Sequence, residues 1–270
     1  MKKRCLLMAV LALLLVAIPA GAQLTFGVIP LEDKGIMEQK FTPLCHYLSK
    51  RLGEPVVLQV GNNYGEIETA LSKGSIQIAY LGPVGAVKVN KQNPRVIPLV
   101  KVVKKGSPFY KSYIVAPKSS PLSSPADLKG KIFAFGDPGS TSSYLVPKYL
   151  LAKSGVRLDD LADHLLTGSH SNVVRAVLEG KADAGGIKES VALKNQDKLK
   201  FLEISKPIPN FPICANIQAL GKEKAKRIQQ ILASIPKKNP VMAAINKKYD
   251  GFTRANIGDY AIIKAIMSHK

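Results

Sequence analysis

Tryptophan is absent, cysteine occurs only three times, and 19 acidic residues face 39 lysines and arginines in a chain of 270. Each scarcity excludes something. So few cysteines rule out a small disulfide-stapled scaffold, and no His/Cys spacing marks a zinc site. A Walker-type glycine-rich phosphate loop is missing, as is a Gly-x-Ser-x-Gly nucleophile elbow. Long apolar runs are missing too. The one from Leu6 to Ile18 falls short of the roughly 20 residues a membrane helix needs.

What is present begins with an export signal. Lys2, Lys3 and Arg4 precede the Leu6 to Ile18 run, Pro19 and Gly21 break it, and Ala20-Gly21-Ala22 supplies the small-x-small pattern. Residues 1–22 therefore read as a signal peptide cleaved after Ala22. Cys5 lies ahead of the apolar run, so it is not the lipidated cysteine of a lipoprotein signal. Of the other two, Cys45 sits in a helical pattern and Cys214 in an apolar extended run, and two separate buried thiols are expected. The formal net charge is +20. Export argues against nucleic acid as the partner, and the lysines are scattered along the chain. Basicity thus supports an anionic ligand only weakly.

Strand and helix patterns alternate along the chain, which implies βαβ units and a parallel sheet. Strands are read at Leu24 to Ile29, Val56 to Val60, Ile76 to Tyr80 and Val96 to Val103, with helices between them. A second block follows, with strands at Tyr113 to Ala116, Lys131 to Phe135, Ala182 to Ala184 and Phe201 to Ile204. Lys206 to Pro212, with three prolines, reads as a crossover and not a core element. The tail offers one strand, Ile213 to Gln218, and several amphipathic helices. That is too little sheet for an independent domain, so the tail should pack on the first lobe. The expected organisation is an α/β chain with lobe 1 at 23–110 and 208–270 and lobe 2 inserted at 111–207. Crossings near Gly106 to Ser112 and Pro207 to Pro212 would form a hinge beside an interlobe cleft, where small ligands commonly bind.

The segment Gly136-Asp137-Pro138-Gly139-Ser140-Thr141-Ser142-Ser143-Tyr144 follows a strand and opens a helix. Ser140, Thr141 and Ser142 place hydroxyls and free backbone N–H groups in one small volume, at the positive end of the helix dipole. Plain N-capping needs only one such residue; three in a row favour an oxyanion. A second polar helix start, Thr167-Gly168-Ser169-His170-Ser171-Asn172, offers His170 as a donor, and burial near an anion would favour its protonated form. A capping or surface role is the alternative for this histidine. Tyr64, Tyr80 and Tyr110 lie at other junctions, where a phenol completes an oxyanion's coordination as readily as it packs in a core.

These motifs resemble the phosphate/phosphite/phosphonate-binding periplasmic proteins of ABC transporters. The resemblance rests on Ala79-Tyr80-Leu81-Gly82-Pro83, Tyr110 with Ser112, Phe135-Gly136-Asp137-Pro138 through Ser140-Thr141-Ser142, Tyr144-Leu145-Val146-Pro147, and Gly168-Ser169-His170 through Asp183-Ala184-Gly185. It implies a two-lobed type II periplasmic-binding-protein fold with a hinge, a location in the periplasm and a membrane permease as partner. It also implies a monomer without cofactor that captures a small phosphorus oxyanion or phosphonate. By this analogy Ser140, Thr141, Ser142 and His170 hold the ligand from lobe 2, while Tyr64 and Tyr110 face them. Two departures bear on the ligand. Val84-Gly85-Ala86 stands where many relatives have a small polar residue and then tyrosine. Pro209-Asn210-Phe211-Pro212 lacks the aspartate that aminophosphonate-binding relatives present. A compact ligand such as phosphite, phosphate or methylphosphonate is then expected, with Glu189 as the remaining carboxylate able to meet an amino group.

Three rival readings fit the same residues. A hydrolase would use the serines with His170, but no residue is marked to orient that histidine. A sensor that presents its ligand to a membrane kinase would share the same cleft chemistry. The same fold would also accept sulfate or a carboxylate.

Overall fold

A computed structural model describes residues 23–268; the segment read as a signal peptide, 1–22, lies outside the described residues. The chain opens with β1 (Leu24–Val28), α1 (Lys34–Leu52), β2 (Val56–Val60), α2 (Tyr64–Lys73), β3 (Ile78–Tyr80), α3 (Pro83–Gln92) and β4 (Val96–Lys104). Helix α1 buries Met37, Phe41, Leu44, Cys45, Leu48 and Leu52, a three-to-four spacing that puts one apolar stripe on the sheet. It stops at Gly53, whose φ of 78° is a left-handed cap that glycine adopts without a Cβ penalty. After a short strand β5 (Phe109–Tyr110) come β6 (Ser112–Pro117), β7 (Ile132–Phe135), a π-helical turn (Thr141–Leu145), α4 (Val146–Lys153) and β8 (Asp163–Leu166). The chain continues through α5 (His170–Leu178), β9 (Ala184–Lys188), α6 (Glu189–Lys194) and β10 (Leu199–Ile204). It ends with β11 (Ile208–Pro209), β12 (Pro212–Asn216), α7 (Ile217–Leu220), α8 (Lys222–Ala233), α9 (Pro240–Ile245), β13 (Tyr249–Arg254) and α10 (Ala261–Ser268).

The strands form two main sheets, ordered β13-β4-β12-β3-β1-β2 and β10-β6-β9-β7-β8. Neither is the parallel sheet expected from the βα alternation. β1 runs parallel to β2 and β3, but β12 is antiparallel to β3 and β4, and β13 is antiparallel to β4. The second sheet has β7 parallel to β8 and β9, with β6 antiparallel to β9 and β10. The crossings explain the mixture. β4 leaves the first sheet toward the crossing and β12 re-enters from it, so the two must run oppositely; β6 and β10 obey the same rule. The crossings pair with each other, β5 antiparallel to β11.

One apolar cluster surrounds the six-stranded sheet, and two smaller ones lie against the five-stranded sheet. In β6, Tyr113 and Val115 enter one of the smaller clusters while Ile114 and Ala116 enter the other. This is the period-two alternation of a strand covered on both faces.

Several elements depart from expectation. The strand read at Ala182 to Ala184 lies at Ala184–Lys188, across the pair Gly185-Gly186. A Cβ on Gly185 would sit 2.5 Å from Val173 Cγ1, and one on Gly186 would sit 2.4 Å from Pro147 Cγ. Glycine is present there because helices press on both faces, not because the strand ends. The tail has two strands in the first sheet, since β13 pairs with β4 on the side opposite β12; its Tyr-Asp-Gly-Phe-Thr-Arg composition hides an edge strand. The Pro-rich crossover also contributes to the core, with Phe211 only 5% exposed. Cys45 and Cys214 are separate, buried thiols as expected.

Candidate functional site

The polar helix start after β7 adopts a wide turn. Leu145 N donates to the Ser140 carbonyl at 3.0 Å, a five-residue step, and π turns of this kind cluster at functional sites. The N–H groups of Thr141 and Ser142 precede that first bond, so the helix itself gives them no acceptor. Ser140 Oγ accepts from Ser143 N at 3.2 Å, and Ser112 Oγ on β6 donates to the Ser142 carbonyl at 2.8 Å. The second polar helix start is laid beside the first. A Cβ on Gly136 would fall 2.2 Å from Ser143 Oγ, so glycine lets the turn fold back on its own strand end, and it would lie in ordinary contact, 3.8 Å, with the Ser169 backbone of the second segment. Ser169 caps α5 by accepting from Asn172 N. His170 then opens the helix, its Nδ1 accepting from Lys188 N at 3.2 Å.

Residues anchored to the six-stranded sheet or the crossings face this surface. Thr141 Oγ1 accepts from Val84 N, at the start of α3, at 2.9 Å, which joins the two halves directly. The Tyr64 phenol lies beside Ser140, and the Tyr110 phenol beside Ser142 and Thr141. Burial raises the pKa of both phenols, with the neighbouring hydroxyls opposing it, so each stays a neutral O–H donor. Tyr110 and Ser142 are close without a hydrogen bond of standard geometry between them.

Among the described residues five buried side-chain polar atoms have no hydrogen-bond partner: Tyr110 Oη, Ser142 Oγ, His170 Nε2, Asn210 Nδ2 and Glu68 Oε1. The first four are donors. Phenol, hydroxyl and amide N–H carry protons outright. For His170 the bond from Lys188 N occupies Nδ1, and burial, followed by the Lys188 charge, holds its pKa well below 6.5. The ring is therefore neutral with its proton on Nε2 in the absence of an anion. Unsatisfied buried donors are costly, and four in one region call for a ligand rich in acceptors.

The structure brings Ser140, Thr141, Ser142, His170, Tyr64 and Tyr110 to this region. Tyr80 sits behind Phe211 relative to Tyr110, its ring stacked on Phe211 at 5.4 Å where Tyr110 packs on the same ring at 5.3 Å; the Tyr80 hydroxyl reaches Tyr249 Oη at 3.5 Å, and the residue lines the neighbouring cavity. Glu189, the carboxylate considered for an amino group, is bound by Lys104 at 2.8 Å across the two sheets. Asn210 gives no signal in the sequence beyond occupying the crossover position where a carboxylate is lacking, and only its burial shows it as an amide donor. Glu68, on α2, carries no motif of its own in the sequence. Its Oε1 would lie 3.4 Å from a Cβ on Gly139, and burial, with Asp137 adding and Lys88 opposing, pushes its carboxyl up to about 7. No group of three His, Cys, Asp or Glu residues among the described residues could hold a metal ion, and no described helix is long and apolar enough to cross a membrane.

Residues 26–260 match the family described as the ABC transporter, phosphonate, periplasmic substrate-binding protein. The chain is 28% identical to the phosphate-import protein PhnD of Mycolicibacterium smegmatis, over 78% of this chain and 71% of that protein. It is 30% identical to the phosphonates-binding periplasmic protein of Escherichia coli, over 68% of this chain and 54% of that protein, little more than half its length. The structure of PhnD1 from Prochlorococcus marinus in complex with methylphosphonate superposes with a TM-score of 0.81 at 22% identity, covering 90% of this chain and 96% of the other.

Proposed function

Since the chain belongs to the family of phosphonate periplasmic substrate-binding proteins of ABC transporters, we propose that it captures a phosphonate, phosphite or phosphate between its two sheets and hands it to a membrane permease. The observation that carries this is the set of four buried donors, Tyr110 Oη, Ser142 Oγ, His170 Nε2 and Asn210 Nδ2, left without acceptors. A tetrahedral oxyanion offers three acceptor oxygens with several lone pairs each, and the free N–H groups of the π turn add to what meets it. The names of the relatives point to the same chemistry.

Lobe 1 is taken as 23–110 with 208–270 and lobe 2 as 111–207, and the paired β5 and β11 segments serve as the hinge. Closure then follows from a ligand that bonds both lobes at once. The protein works in the periplasm as a monomer, delivered there by removal of residues 1–22.

Calorimetric titration of the ligand-stripped protein with phosphite, phosphate, methylphosphonate and sulfate tests this. Saturable one-to-one binding of a phosphorus oxyanion, with sulfate weaker, is the expected result. No heat with any phosphorus compound would overturn the assignment.

A further inference from the structure

Beside the donor cluster lies a cavity of about 320 Å³, walled by residues of both sheets. That is at the lower end of small-molecule sites, which run from about 300 to 1,000 Å³, and far more than a methyl group needs. It adjoins the donor cluster in two ways. Ser171, next to His170 on α5, lines it. Lys188, Ser190 and Tyr249 line both it and the small void that contains Tyr110 and Asn210. A substituent on a phosphorus atom held by His170 and Tyr110 would reach this space past the side chains that line both, Lys188, Ser190 and Tyr249.

The charges in the cavity decide what kind of substituent. Glu32, Lys40, Lys188 and Lys194 all line it. Glu32 is held by Lys40 at 2.5 Å, and the nearby Glu189 by Lys104 at 2.8 Å. Among the described residues no carboxylate forms an ion pair with Lys188, whose ammonium instead lies 6.0 Å over the Phe211 ring. Burial pushes the Lys188 ammonium down to about 8; Glu32 opposes that shift, while Lys40 and Lys104 add to it. An unpaired, desolvated cation gains a full charge-assisted bond from an incoming anion, whereas an incoming ammonium would meet three lysines and one committed carboxylate.

Resting on the oxyanion reading above, we propose that this cavity receives an anionic substituent through Lys188, so that the preferred ligand is a phosphonate bearing a second negative group, such as a phosphonocarboxylate, and not an aminophosphonate. The compact ligand expected from the missing aspartate is thus only half of the answer: the same absence that excludes an amino group leaves the lysines to select its opposite.

The test titrates the ligand-stripped protein with methylphosphonate, phosphonoacetate and 2-aminoethylphosphonate, then repeats the series on Lys188→Met. Phosphonoacetate is expected to bind about tenfold or more tightly than methylphosphonate, with 2-aminoethylphosphonate the weakest. Lys188→Met should remove the advantage of phosphonoacetate over methylphosphonate, so that the ratio of the two affinities, and not the affinity for methylphosphonate itself, is the readout. The ranking on the unsubstituted protein needs no variant, so poor folding of Lys188→Met leaves it decisive. Methylphosphonate binding without an advantage for phosphonoacetate overturns this inference alone. Loss of all three ligands overturns it together with the oxyanion reading.

Discussion

His170 and Glu68 are both buried polar residues, yet they do opposite things. The imidazole is neutral because Lys188 N occupies Nδ1 and burial disfavours charge, which leaves one fixed N–H for a ligand oxygen. Replacing it, His170→Ala, should weaken methylphosphonate binding about ten- to a hundredfold, the worth of one hydrogen bond to a charged acceptor. Calorimetry alongside an unchanged melting temperature would separate that loss from unfolding. Glu68 instead carries a penalty. Its carboxyl rises from 4.5 to about 7, so the folded state holds a proton that the unfolded chain releases. Stability is then full below about pH 4.5 and falls as pH rises through about 7. Glu68→Gln should match the native protein near pH 4.5 and exceed it by about 2–3 kcal/mol at pH 8. Denaturation midpoints across that range check it; a gap that does not widen with pH would sink the explanation.

At the scale of elements, what could be read from the chain depended on whether a residue's role was local. Helix α1 announces itself by its own apolar spacing, and the run Ser140-Thr141-Ser142 by its own hydroxyls. Strand β9 does not, because its glycines answer to Val173 and Pro147 on helices elsewhere in the sequence. Strand β13 is equally silent, since its partner β4 lies far up the chain. The same division runs through the site. Tyr110 and His170 were found from their motifs, whereas Asn210, Glu68 and Lys188 became visible only when folding set them against groups from the other sheet. The β9 pair gives a sharp test. Gly186→Ala should lower stability by about 1–3 kcal/mol, since the Pro147 ring cannot rotate away from the new methyl. The urea midpoint measures it, and a neutral result would mean that α4 yields more easily than its packing implies.

For the whole molecule, the bond from Val84 N to Thr141 Oγ1 is the most direct report on how the two sheets sit together. Val84 lies in the first turn of α3, where a helix offers its N–H no internal acceptor. Its acceptor comes from the π turn of the other half, so the bond exists only while the halves are joined. If ligand drives closure, exchange of the Val84 amide should slow on adding methylphosphonate, while amides in the middle of α1, bonded within their own helix, stay unchanged. Thr141→Ala should abolish much of that protection and weaken binding, because the helix start loses its cap and the ligand loses a neighbour. Hydrogen exchange read residue by residue distinguishes this from general rigidification. Equal protection of Val84 with and without ligand would mean that the halves are already locked together. Ligand entry would then depend on local opening near the cavity, and the β5–β11 pair would serve as a strut and not as a hinge.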